Sequence, residues 1–339
     1  MVERLSDKLL EFLKTAVGKE VSLKYLRTEL RIDPADNAWD SIRVLMHNFA
    51  KKKIVKPSGR NDGIYKVIRQ VHPVRIFSVK RERRPPFDLH FPKCVDTWEE
   101  FAFSESIVIR EGDVITIGGV SNYGKTTLAM NFGGENIDYL PVWMGNEYTT
   151  RVGETDEYEP TPRFLNRLDS MDWVKWTDDK GEDKFLLLPV KDDYAEHIVK
   201  DRINIIDWVN IDANQLYDIS KVEEDIKAEI GRGVGILVLQ KGENATSPRG
   251  GQFAKDFTDC ELLIDKLSEK ESMLTIGKVK EYTAPVIGRT FAFGIFKGVK
   301  IINFREIVKC RHCFGKGWKK VGNSSIPCND CNKTGYLDK

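Results

Sequence analysis

The stretch Gly119-Val120-Ser121-Asn122-Tyr123-Gly124-Lys125-Thr126 has the spacing G-x-x-x-x-G-K-[ST], and it constrains this chain more than any other feature. Val114-Ile115-Thr116-Ile117 just before it is short, apolar and β-branched, as a buried strand should be, and Thr126 to Phe132 after it is helix-compatible. Gly119 and Gly124 let the backbone turn so that successive N–H groups point inward, and a helix N-terminus adds partial positive charge. The combination is a phosphate cradle; the alternative is an ordinary glycine-rich turn between strand and helix. Residues Gly119 to Thr127 are therefore expected to hold a nucleotide, ATP by default, with Lys125 on the β/γ phosphates and Thr126 supplying a hydroxyl to Mg²⁺.

The 339 residues leave room for two or three domains. With 41% hydrophobic and 31% charged residues, and no apolar run near the roughly 18 residues that span a bilayer, no membrane partner is expected. The start Met-Val-Glu-Arg-Leu-Ser-Asp lacks an apolar signal core, so the expected location is the cytoplasm. Net charge is only +1, yet residues 1 to 80 hold 17 Lys+Arg against 9 Asp+Glu, which makes this end the place to seek nucleic acid.

Within that basic end, Leu5, Leu9, Leu10 and Leu13 follow helical spacing with Ser6 as a candidate N-cap, and a second helix starts at Ser22. After a turn at residues 31–37, a third helix from Ala38 to about Lys51 presents Trp39, Ile42, Leu45, Met46 and Phe49 on one face. Two short β-type runs, 54–56 and 64–68, then flank a Pro/Ser/Gly/Asn-rich basic tip. This order resembles the winged helix-turn-helix family, which implies duplex DNA as a partner with phosphate contacts from Arg43, Lys51, Lys52, Lys53, Lys56 and Arg60. A protein-interaction module with a solvated charged face is the other reading. His72-Pro73, the Arg cluster with Pro85-Pro86, and Phe91-Pro92 then read as a connector over 81–106, whose aromatic later part is expected to pack on the domain C-terminal to it.

Beyond the phosphate loop, Tyr139 to Met144 is an apolar strand followed by Gly145-Asn146-Glu147, and a carboxylate beside the loop at a strand end is where a water-activating base would sit. Ile203 to Ile206 is an apolar strand ending in Asp207, the form that holds Mg²⁺. Val234 to Gln240 is another strand; a glycine-containing polar loop from Lys241 to Gln252 follows it, and strands resume at Asp259 to Ile264, Met273 to Val279 and Thr290 to Phe296. Apolar runs alternating with helices imply a mostly parallel sheet with helices on both faces, the last strands antiparallel.

This ordered set, Gly119 to Thr126, Ile205 to Val209, Val238 to Lys241, the glycine loop and Ala254 to Leu263, resembles the motor domain of RecA-like ATPases, and most the DnaB/RepA type of hexameric helicase. The resemblance implies an α/β RecA-like P-loop core over residues 107–308, an ATP hydrolase and a homo-oligomer, a hexamer by analogy, with single-stranded DNA in the core. It further implies Glu147 as base, Asp207 on Mg²⁺ and Gln240 as a γ-phosphate sensor. Lys241 and Arg249 would belong to a strand-tracking loop, while Lys278 and Lys280 would act on a neighbour's site. Lys280 stands where that family usually has Arg, and Arg289 is a possible substitute.

Over residues 309–339, Cys310-Arg311-His312-Cys313 and Cys328-Asn329-Asp330-Cys331 form two C-x-x-C pairs, which predict a four-thiolate zinc module in preference to a redox pair. Each pair has a similar glycine-containing tail, resembling half of the repeated zinc module of DnaJ chaperones. His312 is expected to be a bystander, and Trp318 with Lys316, Lys319 and Lys320 a small basic surface for nucleic acid or a partner protein. The combined expectation is a DNA-dependent ATPase of helicase or translocase type in phage or plasmid DNA replication. The alternatives are an ATP-switched recombinase or helicase loader, or a DNA-binding regulator with a slow nucleotide switch.

Overall fold

The computed structural model divides the chain into two units, Met1–Arg83 and Arg84–Lys339. The structure describes all residues except 1–3, 33–37, 59–62, 70–72, 79–83, 146, 210–218, 243–244, 246, 249–250, 252 and 322–323, and only the backbone of Ala38, Trp39, Phe253 and Val321.

In the first unit the apolar periodicity becomes α1 (Leu5–Thr15), β1 (Glu20–Ser22), α2 (Leu23–Glu29), α3 (Ala38–Lys51), β2 (Val55–Pro57) and β3 (Ile64–Val67). Leu9 and Leu13 of α1, Leu26 of α2 and Ile42, Met46 and Phe49 of α3 bury together against Val55 and Val67. The strands pair antiparallel in the order β1-β3-β2. Ser22 caps α2, its Oγ accepting from the Tyr25 N–H at 3.0 Å. Ser6 does not cap α1: the helix begins at Leu5 behind Arg4, with no side-chain cap.

The second unit is built on a ten-stranded sheet. Its elements are a hairpin of β4 (Lys93–Cys94) and β5 (Glu99–Glu100), then β6 (Val114–Gly119), α4 (Lys125–Glu135) and β7 (Val142–Met144). Next come a hairpin of β8 (Thr149–Arg151) and β9 (Tyr158–Pro160), α5 (Pro162–Ser170), β10 (Leu186–Leu188), β11 (Ile203–Ile206), α6 (Ile219–Glu229) and β12 (Val234–Gln240). Four long strands, β13 (Cys260–Lys266), β14 (Glu271–Val279), β15 (Thr290–Phe296) and β16 (Lys300–Lys309), lead to a hairpin of β17 (Trp318–Val321) and β18 (Ser324–Pro327) and to β19 (Tyr336–Asp338). The sheet order is β10-β7-β11-β12-β6-β13-β14-β15-β16-β19, parallel from β10 to β13 and antiparallel from there on. An α/β class with a mostly parallel sheet and antiparallel late strands is thus what the chain adopts.

Period-two alternation explains the burial. Val234, Ile236 and Val238 of β12 join one apolar cluster with Leu128, Met130 and Phe132 of α4, whereas Leu237 and Leu239 join a second with Ile219 and Ile226 of α6. A strand covered on both faces must be apolar throughout, and β6 is buried at every residue. Of the two outer segments, the first packs as its aromatic residues predict, and the second does not stand apart as a separate module. Residues 87–103 are part of the core: Phe101 stacks on Phe304 at 4.0 Å and Phe91 meets Phe132 edge-on at 5.3 Å. Proline there interrupts regular structure without detaching the chain. The cysteine segment is likewise no appendage, because β19 returns as the outermost strand beside β16.

Candidate active site

The parallel half of the sheet brings three loops together. β6 runs into the phosphate loop, with β12 beside it and β11 one strand further; β7 ends next to β11. Gly124 turns the chain into α4 with φ +102°, a left-handed value at which a side chain would be strained and would meet Ile295. Gly145, φ +143°, follows β7, and a Cβ there would stand 1.8 Å from the Asp207 carbonyl oxygen. Only glycine lets the ends of β7 and β11 approach so closely, which delivers Glu147 and Asp207 to one place.

That place is a cavity of about 420 Å³ lined by Ser121, Asn122, Gly124, Lys125, Thr126 and Thr127 together with Glu147, Asp207 and residues of three other segments. Lys125 is buried at the start of α4, its Nζ donating to the Val120 carbonyl at 2.8 Å. Burial lowers its ammonium pKa, and the nearby Asp207 and Glu147 carboxylates oppose the shift. Asp207 is buried too, which pushes its carboxyl above the ordinary range. Hydroxyl donation from Thr126 and from Tyr148, the latter at 2.8 Å, works against that, as does Lys125. Burial, and then Asp207, push the Tyr148 phenol well above its usual pKa, so it remains a donor. Glu147 is exposed to the cavity. Gln240, at the end of β12, donates from Nε2 to Ser121 Oγ at 2.6 Å and so touches the phosphate loop directly.

Gly119, Val120 and Tyr123 shape the loop without lining the cavity. Gly119 lies against β13, where a Cβ would sit 2.7 Å from the Ile264 carbonyl. Thr127 spends its hydroxyl on the Gly298 carbonyl at 2.8 Å. A carboxylate and a hydroxyl side by side are the hard oxygen donors that suit Mg²⁺, so Thr126 and Asp207 fit that ion, which would supply charge neutralisation at the phosphates.

One of the sequence-predicted cations is not presented as expected. Lys241 is buried and ion-paired with Asp265, so it is not offered to a nucleic-acid strand. Lys278 donates to the Lys255 carbonyl, and Lys280, with its side chain largely exposed, pairs with Asp259 at 3.0 Å. Arg289 makes a two-toothed pair with Glu306, at 3.0 and 2.8 Å. In the first unit Arg43, Lys51, Lys52, Lys53 and Lys56 are exposed; Arg60 and Arg249 lie outside the described residues.

Sequence reasoning missed Tyr148, Trp208, Ile295, Gly298 and two arginines of α5, Arg163 and Arg167, all of which border the cavity or its buried carboxylate. Tyr148 belongs to no motif. The arginines were findable: Thr161-Pro162 opens α5 with an N-cap, the Thr161 hydroxyl facing the Phe164 N–H at 3.3 Å, and proline in the first turn.

The four cysteines converge. Cys310, Cys313, Cys328 and Cys331 are buried as one cluster with all sulfurs within 4.8 Å of one another. Sulfur separations of 3.8 Å for Cys310 and Cys328 and 3.6 Å for Cys313 and Cys331 are far too long for a disulfide. They match the edge of about 3.8 Å that four zinc–sulfur bonds of about 2.3 Å impose on a tetrahedron. The backbone N–H groups of Gly317 and Gly335 each point at a sulfur, Cys313 and Cys331, at 3.3 Å, as a thiolate pair would require. The donor set therefore fits Zn²⁺. His312 is exposed and pairs with Asp330 at 2.8 Å, outside the cluster.

No family model matches the chain, and no curated protein matches it. Among solved structures it is similar to a KaiC-like protein of the hyperthermophilic archaeon Pyrococcus horikoshii OT3, at 17% identity and a TM-score of 0.41, over 57% of this chain and 89% of that one.

Proposed function

We propose that the second unit binds and hydrolyses a nucleoside triphosphate, ATP by default, and that the whole chain couples this to DNA. The observation that carries the first part is the convergence of Lys125, Thr126, Asp207 and Glu147 on one polar cavity at the start of α4. In the proposed reaction a water oxygen bonds to the γ-phosphorus, the bridging P–O bond breaks with its electron pair left on ADP, and Glu147 takes the water proton. On this reading Lys125 neutralises charge on the transferred group, and Gln240, whose contact with Ser121 supports such a role, registers its loss. Glu147→Gln should keep nucleotide binding and lower turnover by about a hundredfold or more; unchanged turnover would remove Glu147 from the chemistry.

Support for DNA comes from the first unit, whose helix-strand-helix-helix-strand-strand order and exposed Arg43, Lys51, Lys52, Lys53 and Lys56 suit a winged helix on a phosphate backbone. On this reading the protein is a helicase or translocase of a RecA-like type, assembled as a ring. A second reading, an ATP-switched recombinase or loader, is favoured by the burial of Lys241 against Asp265, which takes that cation of the expected strand-tracking loop out of reach. Strand displacement on forked DNA by the full chain separates the two: unwinding that needs ATP supports the motor, and DNA binding without unwinding supports the switch.

A further inference from the structure

α5 is nine residues long and amphipathic, and its position is set by the turn that carries Glu147. The Thr161 hydroxyl donates to the Glu147 carbonyl at 3.0 Å, and the Thr161 N–H donates to the Tyr148 carbonyl at 2.8 Å. One face of the helix is anchored: Phe164 and Leu168 are buried, Phe164 packing on Tyr148 at 4.8 Å and on Trp143 at 6.3 Å between ring centres. Arg163 and Arg167 precede those anchors by one residue each, so they lie one helical turn apart on the neighbouring face, and both line the cavity with Lys125. Arg167 also passes the turn after β15, about where a side chain on Gly298 would reach it, at 3.6 Å.

Among the described residues neither arginine makes an ion pair. Two unpaired guanidinium groups on one helix face repel each other slightly, an arrangement that an anion between them would reverse. A planar guanidinium matches phosphate oxygens with two parallel N–H donors, which a lysine cannot do. Lys278 and Lys280, the residues expected to serve a neighbour's site, do not line this cavity; they bond the Lys255 carbonyl and Asp259.

From this we infer that Arg163 and Arg167 grip the γ-phosphate within the same chain, doing in cis what the sequence expectation assigned to a neighbouring subunit. The inference rests on the nucleotide reading of the cavity. The arginines change no bond; they hydrogen-bond the γ-oxygens and stabilise charge as the phosphoryl group leaves. Turnover per chain then does not depend on contact with a second copy.

The test uses the full chain with two readouts: affinity for fluorescent ADP and for a fluorescent β,γ-imido analogue of ATP, and γ-phosphate release over a wide range of protein concentration. Arg163→Ala and Arg167→Ala should leave ADP affinity within about twofold, abolish most of the preference for the triphosphate analogue, and lower kcat by up to about a thousandfold. Lysine at either position should restore part of the binding preference and little of kcat. A double alanine variant with unaltered melting temperature, unaltered analogue preference and unaltered kcat would overturn the proposal, provided Lys125→Ala in parallel stops turnover. Wild-type kcat that vanishes on dilution to monomer would also overturn it. Retained nucleotide binding and turnover in Lys125→Ala would instead show that the nucleotide reading itself fails.

Discussion

At the scale of single residues, two buried positions make predictions about stability. Glu223 of α6 is buried, and desolvation pushes its carboxyl from 4.5 up to about 8, with Lys278 opposing and Asp256 and Glu261 adding to the rise. Between those two values the folded chain keeps a proton that the unfolded chain has lost, so this group's contribution falls as pH rises through the window. Glu223→Gln should therefore change stability little at pH 5 and raise it by roughly 2–4 kcal/mol at pH 8. Chemical denaturation at the two pH values measures this; an equal gain at both would contradict it. Gly145 is the other case. With a Cβ placed 1.8 Å from the Asp207 carbonyl, Gly145→Ala must part β7 from β11, and the expected loss is about 2–4 kcal/mol together with most turnover. Thermal melting and phosphate release check it. Lys125, Thr126, Glu147 and Asp207 were legible because each sits at the end of an apolar strand or in a spaced motif. Tyr148 and the arginines of α5 were not, since their meaning comes from where α5 packs, and Lys241 was misjudged because a lysine in a polar loop carries no mark that Asp265 will draw it inward.

Among the elements, apolar runs foretold most strands of the sheet, and the aromatic residues from Phe87 to Phe103 foretold that this stretch packs on the domain after it, although its prolines suggested a connector. The aromatic rings there do the work that a strand would do elsewhere, Phe103 packing on Phe291 at 5.1 Å and Phe101 stacking on Phe304. The cysteine segment shows a similar dependence on context. Two C-x-x-C pairs announced a four-cysteine cluster that could hold a metal, but nothing in their spacing announced that β19 would close onto β16. Because the cluster stands between β16 and β19, metal removal should free that sheet edge as well as the hairpin β17–β18. One equivalent of zinc per chain is expected by elemental analysis. Chelation or Cys328→Ser should lower the melting temperature and raise amide exchange in residues 300–309, whereas loss of zinc with no change in exchange there would contradict the coupling.

In the whole molecule, a basic helix-strand unit is joined to a unit that carries the proposed nucleotide site. The helices α1, α2 and α3 and the hairpin β2–β3 were readable in advance from leucine spacing and one glycine-containing turn, whereas β1 was not; nor was what that unit grips, because exposed lysines serve solubility as readily as DNA. Reversing charge at Lys51, Lys52 and Lys56 should weaken duplex binding uniformly across sequences and flatten its salt dependence, as measured by fluorescence anisotropy from about 50 to 200 mM salt. Unchanged affinity and slope would assign the unit to protein contacts. The most direct test of the central claim is γ-phosphate release from ATP and Mg²⁺ by the full chain against Lys125→Ala. The wild type is predicted to turn over, and the variant to melt normally yet turn over at least about a hundredfold more slowly. Equal turnover by a correctly folded Lys125→Ala would contradict the claim.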